Sequence, residues 1–116
     1  MADLTPAERL QPCLLDRLTD EHPDEVKESR DQRIVSLRRY RAGVLRDLDW
    51  LLNTGLYGAA EDLAEFDFVR KSVLNYGITD LCGMTASGLN PLEFERRLLD
   101  AIRTFEPRIL PDTLSI

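Results

Sequence analysis

Glu106-Pro107-Arg108 sets an acid and a base two positions apart around a proline, where a strong helical pattern stops. Proline removes a backbone donor, ends the helix and drives the residue before it toward extended backbone. Positions i and i+2 of an extended segment face the same side, so Glu106 and Arg108 present one paired charge to one neighbour. Local folding does not require such a pair. An exposed pair of this kind contributes about 0–1 kcal/mol, whereas a desolvated one can anchor a contact. On the second reading, replacing either residue by alanine leaves the fold intact, because Pro107 and the preceding apolar helix still set the local geometry, and abolishes binding.

Catalytic chemistry has less to draw on. The chain holds one histidine, His22, so histidine triads and multi-histidine metal sites lack members. Carboxylates are plentiful, but they fall in polar loops or on expected solvated helix faces, where nothing raises a pKa as a glycosidase acid requires. Cys13 and Cys82 lie far apart without a CxxC partner and read as reduced thiols. The sequence therefore predicts no enzyme, no cofactor and no metal.

The whole chain, 116 residues with 43% apolar and 31% charged positions, suits one modest domain with a heavily solvated surface. A net charge of −6 argues against general nucleic-acid binding and against an anionic membrane surface. Neither a signal pattern nor a run long enough to span a bilayer is visible, so a cytoplasmic location without membrane insertion is expected. Charge is nonetheless uneven. Arg30, Arg33, Arg38, Arg39, Arg41 and Arg46 are opposed only by Asp31 between positions 30 and 46. Of 15 basic residues only Lys27 and Lys71 are lysines, and arginine is the better residue for planar contacts to carboxylates at interfaces.

The elements that must position these residues follow from periodicity. Thr5-Pro6-Ala7-Glu8 reads as a capping box with proline at the first helical position, opening an amphipathic helix through Leu10, Leu14, Leu15 and Leu18 to about Asp20. Residues 20–31 form a polar connector with little to tether that helix, which is expected to move in the isolated chain and to pack on a partner. A second helix spans roughly 31–53 on Ile34, Leu37, Val44, Leu45, Leu48, Leu51 and Leu52, and stops at Asn53-Thr54-Gly55. A shorter helix near 66–75 uses Phe68, Val69, Val73 and Leu74 and stops at Asn75-Tyr76-Gly77. A turn-rich stretch pegged by Leu81 and Met84 leads to Asn90, which caps a last helix opened by Pro91. Ile109 onward alternates toward β character.

Four blocks, in order, resemble one family. They are Glu8-Arg9-Leu10-Gln11-Pro12-Cys13-Leu14-Leu15-Asp16-Arg17-Leu18, Leu45-Arg46-Asp47-Leu48-Asp49-Trp50-Leu51-Leu52-Asn53-Thr54, Ser72-Val73-Leu74-Asn75-Tyr76-Gly77 and Phe105-Glu106-Pro107-Arg108-Ile109. The family is TssE, the baseplate wedge subunit of bacterial type VI secretion systems, related to the lysozyme-like wedge protein of contractile phage tails. Gly55 stands where the family usually has arginine, and Asp49 where it has glutamate.

The resemblance implies an α+β fold: a helical core, an N-terminal helical arm with its connector over 1–30, and a wedge domain over 31–116 with a small C-terminal sheet, here truncated or only begun. It implies a structural role in wedge assembly and in nucleating the contractile sheath. The implied partners are TssF, TssG and TssK and the sheath proteins TssB and TssC. The partner-binding residues expected are Glu106, Pro107, Arg108, Leu10, Leu14, Leu15, Leu18, Arg38 and Arg41. An anti-adaptor of proteolysis with the same fold is the alternative, and the N-terminal block favours the baseplate subunit.

Overall fold

The computed structural model describes residues 10–27, 35–58, 62–82, 85 and 87–116. Helices α1 (Leu14–Leu18), α2 (Leu37–Leu52), α3 (Asp67–Arg70) and α4 (Pro91–Phe105) are joined by loops, with 3₁₀ turns at Val73–Asn75 and Pro111–Thr113. The chain divides into two compact units, Met1–Arg46 and Asp47–Ile116.

In the first unit α1 is shorter than its leucine spacing predicts. Leu10 to Cys13 are not helical, because Pro12 offers no N–H and its ring disfavours helix at the residue before it. The capping box at Thr5–Glu8 lies outside the described residues, as does Ile34. The described residues on either side of positions 28–34 make contacts with one another. Val35 is buried and its N–H donates to the Leu10 carbonyl at 3.2 Å, and Arg39 pairs with Glu21 at 2.6 Å. Helix α2 begins at Leu37, after the expected position near 31. Ser36 is its N-cap, the hydroxyl accepting from the Arg39 N–H at 3.2 Å.

In the second unit α2 ends through side chains. Asn53 Nδ2 donates to the Asp49 carbonyl at 2.7 Å and Thr54 Oγ1 to the Trp50 carbonyl at 2.6 Å, satisfying carbonyls the helix leaves open. The segment expected as one helix over 66–75 is broken at Lys71-Ser72. Ser72 is extended, and its hydroxyl accepts from the Leu74 N–H to start a 3₁₀ turn. Gly77 then takes φ +138°. That geometry lets Ile78 reach the end of α2: Ile78 N–H donates to the Thr54 carbonyl at 2.8 Å, Leu56 N–H to the Ile78 carbonyl at 3.0 Å, and Gly55 pairs with Ile78 in a parallel bridge. Leu81, expected as a peg, is exposed, and Met84 lies outside the described residues.

Helix α4 follows its sequence signals. Asn90 Oδ1 accepts from the Leu92 and Glu93 N–H groups and Pro91 takes the first helical position. Its inward stripe is Phe94, Leu98, Leu99, Ile102 and Phe105, of which Ile102 is buried, as is Leu51 of α2.

Among the described residues the fold is helical, and the parallel bridge is the only β pairing. The expected C-terminal sheet is not formed there. After Arg108 the chain makes a turn and the 3₁₀ turn Pro111–Thr113. Two prolines within five residues deny a ladder two of its donors, leaving only Arg108-Ile109-Leu110 between them.

Candidate partner-binding site

The acid–base pair around Pro107 turns inward. Glu106 sits at the C-cap of α4 with φ −124° and is 4% exposed, while Arg108 is half-buried. Arg108 Nε donates to Glu106 Oε1 at 2.6 Å and Nη2 to Oε2 at 2.5 Å, a two-pronged contact that the i, i+2 spacing predicts. The backbone N–H of Arg108 adds a bond to Glu106 Oε1 at 3.2 Å, closing the turn over Pro107. Arg108 Nη2 also donates to Asp47 Oδ2 at 2.5 Å, so a residue of α2 completes the cluster. These hydrogen bonds, first from Glu106 and then from Asp47, raise the guanidinium pKa further above its already high value, against the opposing effect of burial.

Tyr76 leans on the same cluster. Its hydroxyl donates to the Asp47 carbonyl at 3.3 Å, and its ring meets Phe105 edge-on, centroids 5.3 Å apart at 70°. Burial, helped by the Asp47 and Glu106 carboxylates, pushes the phenol pKa above its ordinary value. Asp47, Tyr76 and Phe105-Glu106-Arg108 come from three of the four sequence blocks, and they meet in one network.

The first block does the same in its own unit. Arg46 Nη1 donates to Asp16 Oδ1 at 2.5 Å, the Cys13 thiol to Asp16 Oδ2 at 3.0 Å, and Arg46 Nη2 to Cys13 Sγ at 3.7 Å. Gly43 makes room for this contact, since a Cβ there would lie 3.2 Å from Asp16 Oδ2. Helix α1 thus turns its polar side to α2 and leaves leucines outward, Leu14 at 68% and Leu18 at 73% exposure, with Leu15 also exposed. Leu10 is half-buried, and Arg38, Arg41 and Pro107 are exposed. His22 is exposed as expected, and Trp50 lies at the surface edge.

Of the nine residues named from sequence, Leu14, Leu15, Leu18, Arg38, Arg41 and Pro107 are exposed, Leu10 is half-buried, and Glu106 and Arg108 hold one another. Sequence reasoning missed Asp47, Tyr76 and Asp16 as members of these clusters. Their only signal was that each lies inside a block of resemblance.

The family model of the baseplate wedge protein gp25 matches residues 38–116, which is more than half of the chain. This chain belongs to the baseplate wedge protein gp25 family. The match includes Asp47, Tyr76, Glu106 and Arg108, the whole of the cluster in the second unit. Comparisons with curated proteins and with solved structures return no match. The gp25 wedge family is a structural one, so the buried charges here are read as parts of an assembly component. Among the described residues no helix is long and apolar enough to cross a membrane.

Proposed function

We propose that this chain is a TssE-type baseplate subunit of a type VI secretion system, acting in the cytoplasm by assembling with TssF, TssG and TssK and helping the sheath proteins TssB and TssC to nucleate. Its mechanism is association and involves no covalent step. The observation that carries the reading is the family match over 38–116 joined to the convergence of the TssE-like blocks on the Asp47–Tyr76–Glu106–Arg108 cluster. The arm and connector over 1–30 and the wedge domain over 31–116 then divide the work. The arm binds through Leu14, Leu15 and Leu18 together with the half-buried Leu10, and Arg38 and Arg41 offer planar contacts to partner carboxylates. Glu106 and Arg108 serve binding by locking the turn that presents Pro107 and the tail beyond it.

Co-purification of the full chain with TssF, TssG and TssK tests this. The double variant Leu14→Asp/Leu18→Asp should keep the circular dichroism of the parent, because both side chains are already in solvent, and should lose the complex. Normal recovery of the complex by that variant removes the arm from the interface, and failure of the parent chain to join the three subunits sinks the assignment.

A further inference from the structure

The stretch Phe66–Leu74 is packed inside out. The buried side chain at its edge is a polar one, Asn75, whose Nδ2 donates to the Arg70 carbonyl at 3.2 Å and whose Oδ1 accepts from the Gly58 N–H at 3.5 Å. This amide staples α3, the following 3₁₀ turn and the 57–58 loop to one another. Around it the large apolar side chains face solvent. Phe68 is 92% and Val73 82% exposed, and Phe66, Leu74 and Tyr57 are exposed as well. Folding alone selects the reverse arrangement. Several such side chains on one short segment exceed the scattered single exposures of an ordinary surface and mark a contact. The staple also fixes the segment before binding, which lowers the ordering cost of association.

Charge selects the occupant. Between positions 47 and 116 the sequence has six basic residues against twelve acidic, so this unit carries the chain's entire excess of −6. Glu61, Asp62 and Glu65 lead into the apolar segment. The two cations within it, Arg70 and Lys71, are both engaged by Asp67. A second copy that met this surface with its own matching face would bring the same acidic surroundings and repel.

We propose that Phe66, Phe68, Val73 and Leu74 form a docking surface for an apolar helix rimmed by lysine or arginine, contributed by another subunit. The surface uses residues other than those of the arm and does not depend on the secretion-system reading. The probe is a synthetic amphipathic leucine–lysine helix titrated into the full chain by fluorescence anisotropy, with a leucine–glutamate helix of the same pattern for comparison. The lysine peptide should bind and the glutamate peptide should not. Phe68→Ser/Val73→Ser should weaken binding about tenfold or more with unchanged circular dichroism. Leu92→Ser, an equally solvent-facing apolar position on α4, should leave it unaltered. Equal binding of both peptides, or indifference to Phe68→Ser/Val73→Ser, overturns the proposal. So does sedimentation showing self-association of the parent chain that Phe68→Ser/Val73→Ser abolishes, since the surface would then serve a second copy. Any of these results leaves the arm-variant experiment untouched.

Discussion

Arg108 is the residue on which the second unit turns. It satisfies two carboxylates at once, one from its own turn and one from a helix 61 positions earlier. Glu106 is buried, so its removal strands a half-buried guanidinium that keeps only Asp47. Glu106→Ala is therefore expected to cost about 2–4 kcal/mol in urea unfolding, within the range for breaking a buried pair. This revises the expectation that the fold survives alanine here, which assumed an outward-facing pair. Arg108→Lys keeps the charge but not the fork and should cost about 1–2 kcal/mol. If both variants unfold with the parent's midpoint, the cluster has no role in stability. Tyr76 supplies a spectroscopic handle. Its phenol pKa is raised in the fold above 10.0, so its contribution to stability is whole below that value and is lost as pH rises past it. An alkaline titration followed by tyrosinate absorbance should show one phenol ionising late, with unfolding at its heels; in Glu106→Gln, which removes one of the opposing carboxylates, that ionisation should move to lower pH.

Elements differ in how openly the sequence declared them. Asn90-Pro91 announced α4 because capping is local: both bonds from Asn90 reach only two and three residues ahead. Asn90→Ala should accordingly cost about 1 kcal/mol, measurable as a lowered urea midpoint. The i, i+2 pairing of Glu106 and Arg108 was legible for the same reason, and Asp47 was not, since no spacing rule links positions 61 apart. Helix α1 was overdrawn because leucine periodicity continued across Pro12, and the break at Lys71-Ser72 was hidden because Val73 and Leu74 kept the helical rhythm into a 3₁₀ turn. Gly77 was taken as a generic helix stop. The structure gives it a stricter duty, for a Cβ there would fall 2.9 Å from the Gly55 carbonyl carbon and closer still to the Thr54 carbonyl oxygen. Gly77→Ala combines that clash with an unfavourable φ and should destabilise by at least about 2 kcal/mol, lowering amide protection at Leu56 and Ile78 first. Full protection of those two amides in the variant would refute the close approach.

At the scale of the molecule the core is thin. Among the described residues the buried apolar side chains are Val35, Leu51 and Ile102. Charge clusters and caps do much of the joining that packing does elsewhere, and such a chain gains stability chiefly by binding. The isolated protein is expected to unfold at a low midpoint and to gain thermal stability when the other baseplate subunits are added. A sharp monomeric transition well above the ordinary mesophile range would contradict this. The prolines that keep the tail from forming a sheet of its own also give it a handedness toward other chains. In extended backbone, alternate residues direct their N–H groups to opposite edges. Pro107, Ile109 and Pro111 would share one edge, and two of those three have no hydrogen to give. Arg108, Leu110 and Asp112 would share the other edge, where each has an N–H and that of Arg108 is already held by Glu106 Oε1. A neighbouring strand would therefore find the fuller row of donors on the Leu110 edge, and only once the 3₁₀ turn at Pro111–Thr113 opens.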